Sequence, residues 1–157
     1  MKKIAIFVDV QNIYYTTRTQ FTRNFDYNKF WSQVTKNRLL TNATAYATTK
    51  NDKKQTEFQN ILRAIGFEVK LKPYIKRIDG SSKGDWDVGI TIDVLKVAKN
   101  VDTVILASGD GDFDILLKEI KIQYGTDSEV FGVKALTANS LIEQCTQFRE
   151  IDENLLL

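Results

Sequence analysis

Short β-branched or apolar runs alternate along this chain with longer stretches of helical periodicity. That alternation is the feature that most restricts its fold, because it marks strands buried on both faces and joined by crossover helices, the pattern of a parallel α/β sheet. Ile4 to Asp9 reads as the first buried strand and Tyr27 to Leu39 as a helix. "ATAYATT" from Ala43 reads as a second strand, and Lys53 to Ile65 as a helix stopped by Gly66. "FEVKLKPY" from Phe67 alternates apolar and basic residues, as a strand does when one face is solvated or bound to something. Trp86 to Lys99 reads as a helix, Thr103 to Ala107 as a strand, and Phe113 to Gln123 as a helix ending near Gly125. Glu129 to Val133 is a strand, Asn139 to Thr146 a helix and Phe148 to Ile151 a short last strand. With 157 residues, 43% of them hydrophobic, the expectation is one compact domain over residues 1–157. No repeat or dividing linker interrupts it, and the Gly/Ser-rich stretch from Lys76 to Asp85 reads as a mobile surface loop.

Composition then removes whole classes of chemistry. Histidine is absent, which excludes a His-based triad, a ribonuclease relying on histidine as acid and base, and His/Cys zinc sites. The single cysteine, Cys145, permits no internal disulfide and reads as a small buried hydrophobe in a helix, which suits a reducing compartment. Any ion must be held by oxygen. The start, Met-Lys-Lys and then Ile4 to Val8, has a signal peptide's charge, but its apolar run is too short and Asp9 and Gln11 interrupt it. With no segment of membrane-spanning length, a soluble cytoplasmic protein is expected. The net charge of +2 does not by itself mark a nucleic-acid binder.

The acids occupy informative places. "ILASGDGDFDILLKEI" runs from a strand into Asp110, Asp112 and Asp114, and then into a helix. Carboxylates about 4 Å apart repel by roughly 4 kcal/mol at an effective dielectric near 20, so such crowding needs a counter-charge. Ligands of open parallel sheets sit beyond the carboxyl ends of the strands, where chain order reverses. Asp9 closes the first strand, and Asp110 follows the strand ending at Ala107; if those strands are neighbours, the two aspartates meet. Asp87, at the start of the preceding helix, can reach the same edge. Asp93 is about 60° from Ile90 on the opposite side from Asp87, with roughly 9 Å of rise between the two acids, so it ranks below Asp87 as a direct ligand.

Simpler roles stand beside these. Asp112 fits the N-cap of the following helix and Asp114 its first turn. Asp9 fits a turn, Asp85 a solvated loop charge, and Gly109 and Gly111 a tight turn that would also admit a ligand closely. Asn12 fits a helix cap, or an amide orienting Asp9 or a metal-bound water, and Ser108 could do the same for Asp110. An all-carboxylate cluster selects a hard ion, Mg²⁺ or Mn²⁺, completed by waters and substrate phosphates. Such a site polarises a phosphodiester, lowers the pKa of an attacking water and offsets charge on the leaving oxygen.

"VDVQN" (Val8 to Asn12), "KGDWDVGITID" (Lys83 to Asp93), "SGDGDF" (Ser108 to Phe113) and "EVFGV" (Glu129 to Val133) come in this order. Together they resemble the NYN domain family, notably its LabA-like branch, within the PIN-like nuclease superfamily, over Lys3 to about Asp152. The resemblance implies a three-layer PIN-like (Rossmann-like) α/β fold and a metal-dependent ribonuclease site. By motif, it places the family's first-strand aspartate on Asp9, the accompanying asparagine on Asn12, the helix acids on Asp87 and Asp93, and the loop acids on Asp110 and Asp112. Ser108 and Gly109 belong to the same loop motif. Val10 and Gln11 depart from the glycine and acidic residue often found in their place, so no further ligand is implied there.

A nuclease must also draw a polyanion toward an acidic centre. "KLKPYIKR" offers Lys70, Lys72, Lys76 and Arg77 around Tyr74, followed by Lys83, as an RNA-binding track in which the tyrosine stacks on an unpaired base. A lysine-protected strand edge explains the same residues. Arg18, Arg23, Lys50, Lys53 and Lys54 could extend a basic rim, while Phe30 and Trp31 read as core. Two functions follow: an Mg²⁺- or Mn²⁺-dependent endoribonuclease in which Asp9, Asp87 and Asp110 hold the ion with help from Asp112 and Asp93, or a non-catalytic module binding RNA or a regulatory protein partner, with a homo-oligomer compatible with either. Transfer on a small phosphorylated substrate is a third option, against which the absence of a Walker loop and a dinucleotide fingerprint counts.

Overall fold

A computed structural model of the chain describes residues 1–50, 52–73, 75–76, 82–83 and 85–157. Six parallel strands form one sheet: β1 (Lys3–Asp9), β2 (Leu39–Thr49), β3 (Glu68–Pro73), β6 (Thr103–Ala107), β7 (Asp127–Gly132) and β8 (Gln147–Glu150). Between β3 and β6 in the chain, β4 (Ile75–Lys76) and β5 (Ser82–Lys83) make a two-stranded antiparallel ladder. The expected surface loop from Lys76 to Asp85 lies otherwise mostly outside the described residues.

The order across the sheet is β3-β2-β1-β6-β7-β8. The chain therefore builds leftward from β1, then returns to insert β6 on its other side. In register, Ile6 pairs with Ile105 and Val8 with Ala107, so the carboxyl ends of β1 and β6 stop level. The reversal of chain order falls between those two ends, the place where such sheets take ligands.

Alternate side chains of each strand supply two cores. Ile4, Ile6 and Val8 join Ile105 and Phe131 on the face covered by α1 (Val10–Phe21), α2 (Tyr27–Thr35) and α3 (Lys53–Ile65). Ala5, Phe7, Val104, Leu106 and Val130 face α4 (Asp87–Val97), α5 (Asp114–Tyr124) and α6 (Asn139–Gln144). The α/β three-layer expectation holds, and every strand pair of the main sheet is parallel.

Several boundaries differ from the expectation. A helix after β1 was foreseen only through Asn12 as a possible cap; α1 starts immediately after β1 because Asp9 caps it instead, accepting from the Asn12 N–H at 3.3 Å. Its buried threonines satisfy their hydroxyls on the preceding turn, Thr16 on Asn12 O at 2.8 Å and Thr17 on Ile13 O at 2.7 Å. α2 ends at Thr35 rather than Leu39, and β2 starts at Leu39, because Asn37 turns the chain through a left-handed conformation (φ 58°). α6 stops at Gln144, so Cys145 lies at its end and is half-buried rather than in the core, with burial pushing its thiol pKa up. Gly66 does stop α3: it has φ 135°, and a Cβ there would lie 2.6 Å from the Trp31 ring. Phe30 is fully buried, and Trp31 packs at the edge of the same core. No helix among the described residues is long and apolar enough to cross a membrane.

Candidate metal centre

Asp9, Asp87 and Asp110 converge at the level ends of β1 and β6, each offering a carboxylate oxygen within 4.8 Å of the others. Asp9 arrives as the last residue of β1 and is buried. Asp110 follows β6 by a short loop, and Asp87 opens α4, which packs on the opposite sheet face from α1. The three acids thus come from the end of a central strand, the loop after its neighbour and the first residue of one helix.

The loop after β6 holds two of them in place. The buried Ser108 hydroxyl donates to Asp9 Oδ2 at 3.1 Å and accepts the Asp110 N–H at 3.1 Å. Asn12 Oδ1 accepts the Gly109 N–H at 2.9 Å, tying α1 to the same loop. Gly109 keeps φ negative; what it needs is space, since a Cβ there would lie 3.0 Å from Leu136 O. Ser108 accordingly supports both acids, while the Asn12 side chain fixes the loop and its backbone N–H serves Asp9.

Asp110, not Asp112, provides the cap at this loop: its carboxylate accepts the Asp112 N–H at 2.9 Å and opens a single 3-10 turn, Gly111–Phe113. Asp112 is exposed and stands outside the three-acid group, and Asp114 lies in the first turn of α5, as its position suggested. Asp93 is engaged elsewhere. Its Oδ2 accepts from Tyr46 Oη at 2.8 Å and from Lys70 Nζ at 2.7 Å, and these donors hold its carboxyl pKa below the usual value against the opposing effect of burial.

Electrostatics of the three-acid group run the other way. Burial pushes Asp9 up to about 6, partly opposed by its bonds from Asn12 and Ser108. Asp87 is pushed up to about 8 by burial first, then by a hydrogen bond with Asp110 and by the charges of Asp110, Asp85 and Asp9. Asp87 Oδ1 is buried and has no hydrogen-bond partner among the described residues. An orphaned buried carboxylate oxygen facing two further carboxylates suits a hard divalent cation, and oxygen-only donors fit Mg²⁺ or Mn²⁺ chemistry.

Three residues of "GDWDVG" carry more of the site than the sequence indicated. Exposed Asp85 accepts the Asp87 N–H at 3.3 Å and adds negative charge to Asp87 and Asp9. Trp86 donates its indole N–H to Ala47 O at 2.9 Å and lies against Tyr46, pinning the start of α4 to β2. A Cβ on Gly89 would meet that indole at 2.6 Å, so the glycine is where the ring fits. The signal was a tryptophan and a glycine three residues apart, one turn of the same helix.

β3 is an edge strand, but its basic face does not lie open. Lys70 is paired with Asp93, and Lys72 Nζ stands 4.6 Å from the centre of the Trp86 ring. Tyr74 and Arg77 lie outside the described residues, as do the side chains of Lys76 and Lys83. Among the rim cations, Arg23 donates to Leu157 O at 2.7 Å, while Arg18 stays exposed.

Known proteins are similar to this chain over nearly its whole length. A crystal structure of a protein of unknown function from Vibrio parahaemolyticus is 53% identical and superposes with a TM-score of 0.95, over 99% of this chain and 96% of that one. The Low amplitude and bright protein LabA of Synechococcus elongatus is 24% identical, covering 96% of this chain and 84% of its own length. Ribokinase from Giardia lamblia, 13% identical with a TM-score of 0.52 over 94% of this chain and 57% of its own, shares the fold alone. The family model described as the NYN domain matches residues 3–152, nearly the whole of the sheet and all three converging acids, and the chain belongs to the NYN domain family.

Proposed function

We propose that this protein is a divalent-metal-dependent endoribonuclease whose centre is Asp9, Asp87 and Asp110. The observation that carries the reading is the buried, otherwise unpartnered Asp87 Oδ1 within a group of three carboxylates at the reversal point of the sheet. Membership of a nuclease-type domain family supports it. Bound there, Mg²⁺ or Mn²⁺ would supply Lewis acidity toward the phosphodiester and lower the pKa of the attacking water. Asp9, fixed by Ser108 and the Asn12 N–H, presents Oδ2 from the buried side. Asp110 presents its carboxylate from a loop locked by Ser108 and Asn12. Asp87, whose carboxyl is pushed up to about 8 by burial and the neighbouring acids, would be the third residue holding the ion. Asp112, at the exposed mouth, and Asp93, held by Lys70 and Tyr46, have supporting roles. Lys70, Lys72, Tyr74, Lys76, Arg77 and Lys83 are candidates for contact with RNA on the strength of their sequence alone, and Lys70 and Lys72 would have to exchange Asp93 and Trp86 for phosphate.

The test is cleavage of a labelled mixed-sequence RNA with Mn²⁺, with Mg²⁺ and with EDTA, beside Asp110→Asn. Cutting that needs metal and disappears in the variant is the expected result. RNA binding without cutting in every condition would replace this reading with a non-catalytic regulatory module.

A further inference from the structure

α4 is apolar on two sides. Of its 11 residues, Val88, Ile90, Ile92, Val94, Leu95 and Val97 are branched aliphatics, and only Asp87, Asp93 and Lys96 carry charge. Ile90 and Val94 are fully buried in the core, while Val88, Ile92 and Leu95 are 72%, 47% and 37% exposed. At 100° per residue those three fall within about 60° of one another, directly across the helix from Ile90. A helix that covers a sheet on one side is normally polar on the other, and one that is apolar all round is covered on both.

The arrangement of the outer stripe says what covers it. Ile92 lies about 6 Å along the axis from Val88 and about 4.5 Å from Leu95 on the other side. Two copies of α4 set antiparallel about a twofold axis at Ile92 would therefore place Ile92 on the partner's Ile92 and Val88 on the partner's Leu95, each contact being made twice. The charges beyond the stripe obey the same symmetry. Asp85 stands seven positions before Ile92 and Lys99 seven positions after it, and both are exposed. Lys99 sits in the 3-10 turn Ala98–Asn100, which continues α4 without a break. Antiparallel pairing brings Asp85 level with the partner's Lys99, so the acidic end of each helix meets the basic end of the other, as the two helix dipoles also favour. A parallel pairing would instead set Asp85 against Asp85. Lys96 has less part in this, because its charge already acts on Asp93.

We propose that α4 is the interface of a homodimer, in which the face of Val88, Ile92 and Leu95 packs antiparallel on the same face of a second copy and Asp85 meets the partner's Lys99. The self-complementarity of stripe and charges about one residue is what selects a second copy over an unrelated protein. The two copies of Asp87 would then lie about 15 Å apart along the helix direction, so that both carboxylate centres open beside the interface. The partner's Lys99 would set a positive charge next to Asp85, whose negative charge otherwise bears on Asp87 and Asp9. A contact one helix wide is small, so a dissociation constant on the order of 1–10 μM is expected.

The experiment is sedimentation equilibrium of the full chain without metal or RNA, so its result stands whatever the protein does to RNA. The parent should dimerise with rising concentration, and Ile92→Glu should weaken dimerisation at least about tenfold, by placing two like charges on the twofold axis. Melting of Ile92→Glu in dilute solution, where the parent is monomeric, should match the parent because the side chain faces outward. Ile92→Cys should form a disulfide-linked dimer on mild oxidation, whereas Ile61→Cys, equally exposed on α3 across the sheet, should not. Orientation is read from charge reversal: Asp85→Lys and Lys99→Glu should each weaken the dimer, and the two together should restore it. A parent that stays monomeric up to about 100 μM overturns the proposal, whatever else binds the stripe. A dimer indifferent to Ile92→Glu overturns it as well, and charge reversals that add instead of compensating overturn the antiparallel pairing.

Discussion

Ser108 stands 3.1 Å from Asp9 and donates its hydroxyl to the buried Oδ2, while the same oxygen accepts the Asp110 N–H. One fully buried hydroxyl therefore sets two of the three carboxylates. Ser108→Ala removes a donor that favours ionised Asp9 and leaves the Asp110 N–H without its acceptor. A hydrogen bond to a charged group is worth about 1.5–3 kcal/mol, so Mn²⁺ affinity near pH 6.5 should fall roughly tenfold or more. Calorimetric titration with Mn²⁺ measures it, and an unchanged affinity would show that Ser108 does not tune the site.

The raised pKa values of Asp9 and Asp87 set a direction for stability. From about pH 4 upward the metal-free folded state holds protons that the unfolded chain, with its carboxyls near 3.8, has released. Their contribution to stability is thus full at low pH and declines as pH rises, until about 6 for Asp9 and about 8 for Asp87. Asp87→Asn takes the larger of these away. At pH 8 without metal, the variant should melt roughly 2–4 °C above the parent, the shift that about 1 kcal/mol makes in a chain of this size. Thermal unfolding in EDTA at pH 6 and pH 8 decides the matter; a variant melting below its parent at pH 8 would contradict it.

Gly89→Ala should reverse the usual sign of a helical glycine replacement. In an open helix the change stabilises by about 1 kcal/mol. Here the new methyl meets the Trp86 ring at 2.6 Å and must displace it from Tyr46 and Ala47 O. A loss of about 1–3 kcal/mol is expected, with weaker Mn²⁺ binding because Asp87 follows Trp86 directly. Urea unfolding gives the first quantity and Mn²⁺ titration the second. A stabilised variant would mean that the indole is free to move.

Asp93→Asn separates structure from metal binding. The carboxylate joins β3 to β2 and α4 through Lys70 and Tyr46, so its neutralisation should cost about 1 kcal/mol and leave Mn²⁺ affinity within about twofold. Because its pKa is lowered, Asp93 stabilises the fold above about pH 4, and that share disappears as pH falls through its folded pKa. A variant that loses Mn²⁺ as completely as Asp87→Asn would place Asp93 among the ligands.

The strands and α3 were legible because unbroken apolar runs and a glycine stop say nearly all that matters about them. α1 was not. Val10–Phe21 contains three threonines and two tyrosines, residues of strand preference, and becomes helical through the Asp9 cap and the hydroxyl bonds of its buried threonines. Asp9 and Asp110 could be paired from sequence once their strands were taken as neighbours, since both sit at the ends of apolar runs. The division of labour between Asp87 and Asp93 was only half legible, because helical spacing separates them without revealing that Tyr46 and Lys70 wait on β2 and β3 for the second. Asp85 looked like a solvated charge, and it is exposed; its weight comes from facing Asp87 across one turn of backbone.

The insertion of β6 beside β1 also imposes an order on biosynthesis. At about 5–20 residues per second, β1 leaves the ribosome roughly 5–20 s before β6 follows. In the last part of that interval, after β3 has emerged, a nascent sheet of β3, β2 and β1 would carry an open hydrogen-bonding edge on the strand that will become its centre. Asp9, at the end of that edge, would act as a charged gatekeeper against adventitious strand addition until β6 arrives. The residue offered above as a metal ligand would then serve the newborn chain first as a guard on its most vulnerable strand.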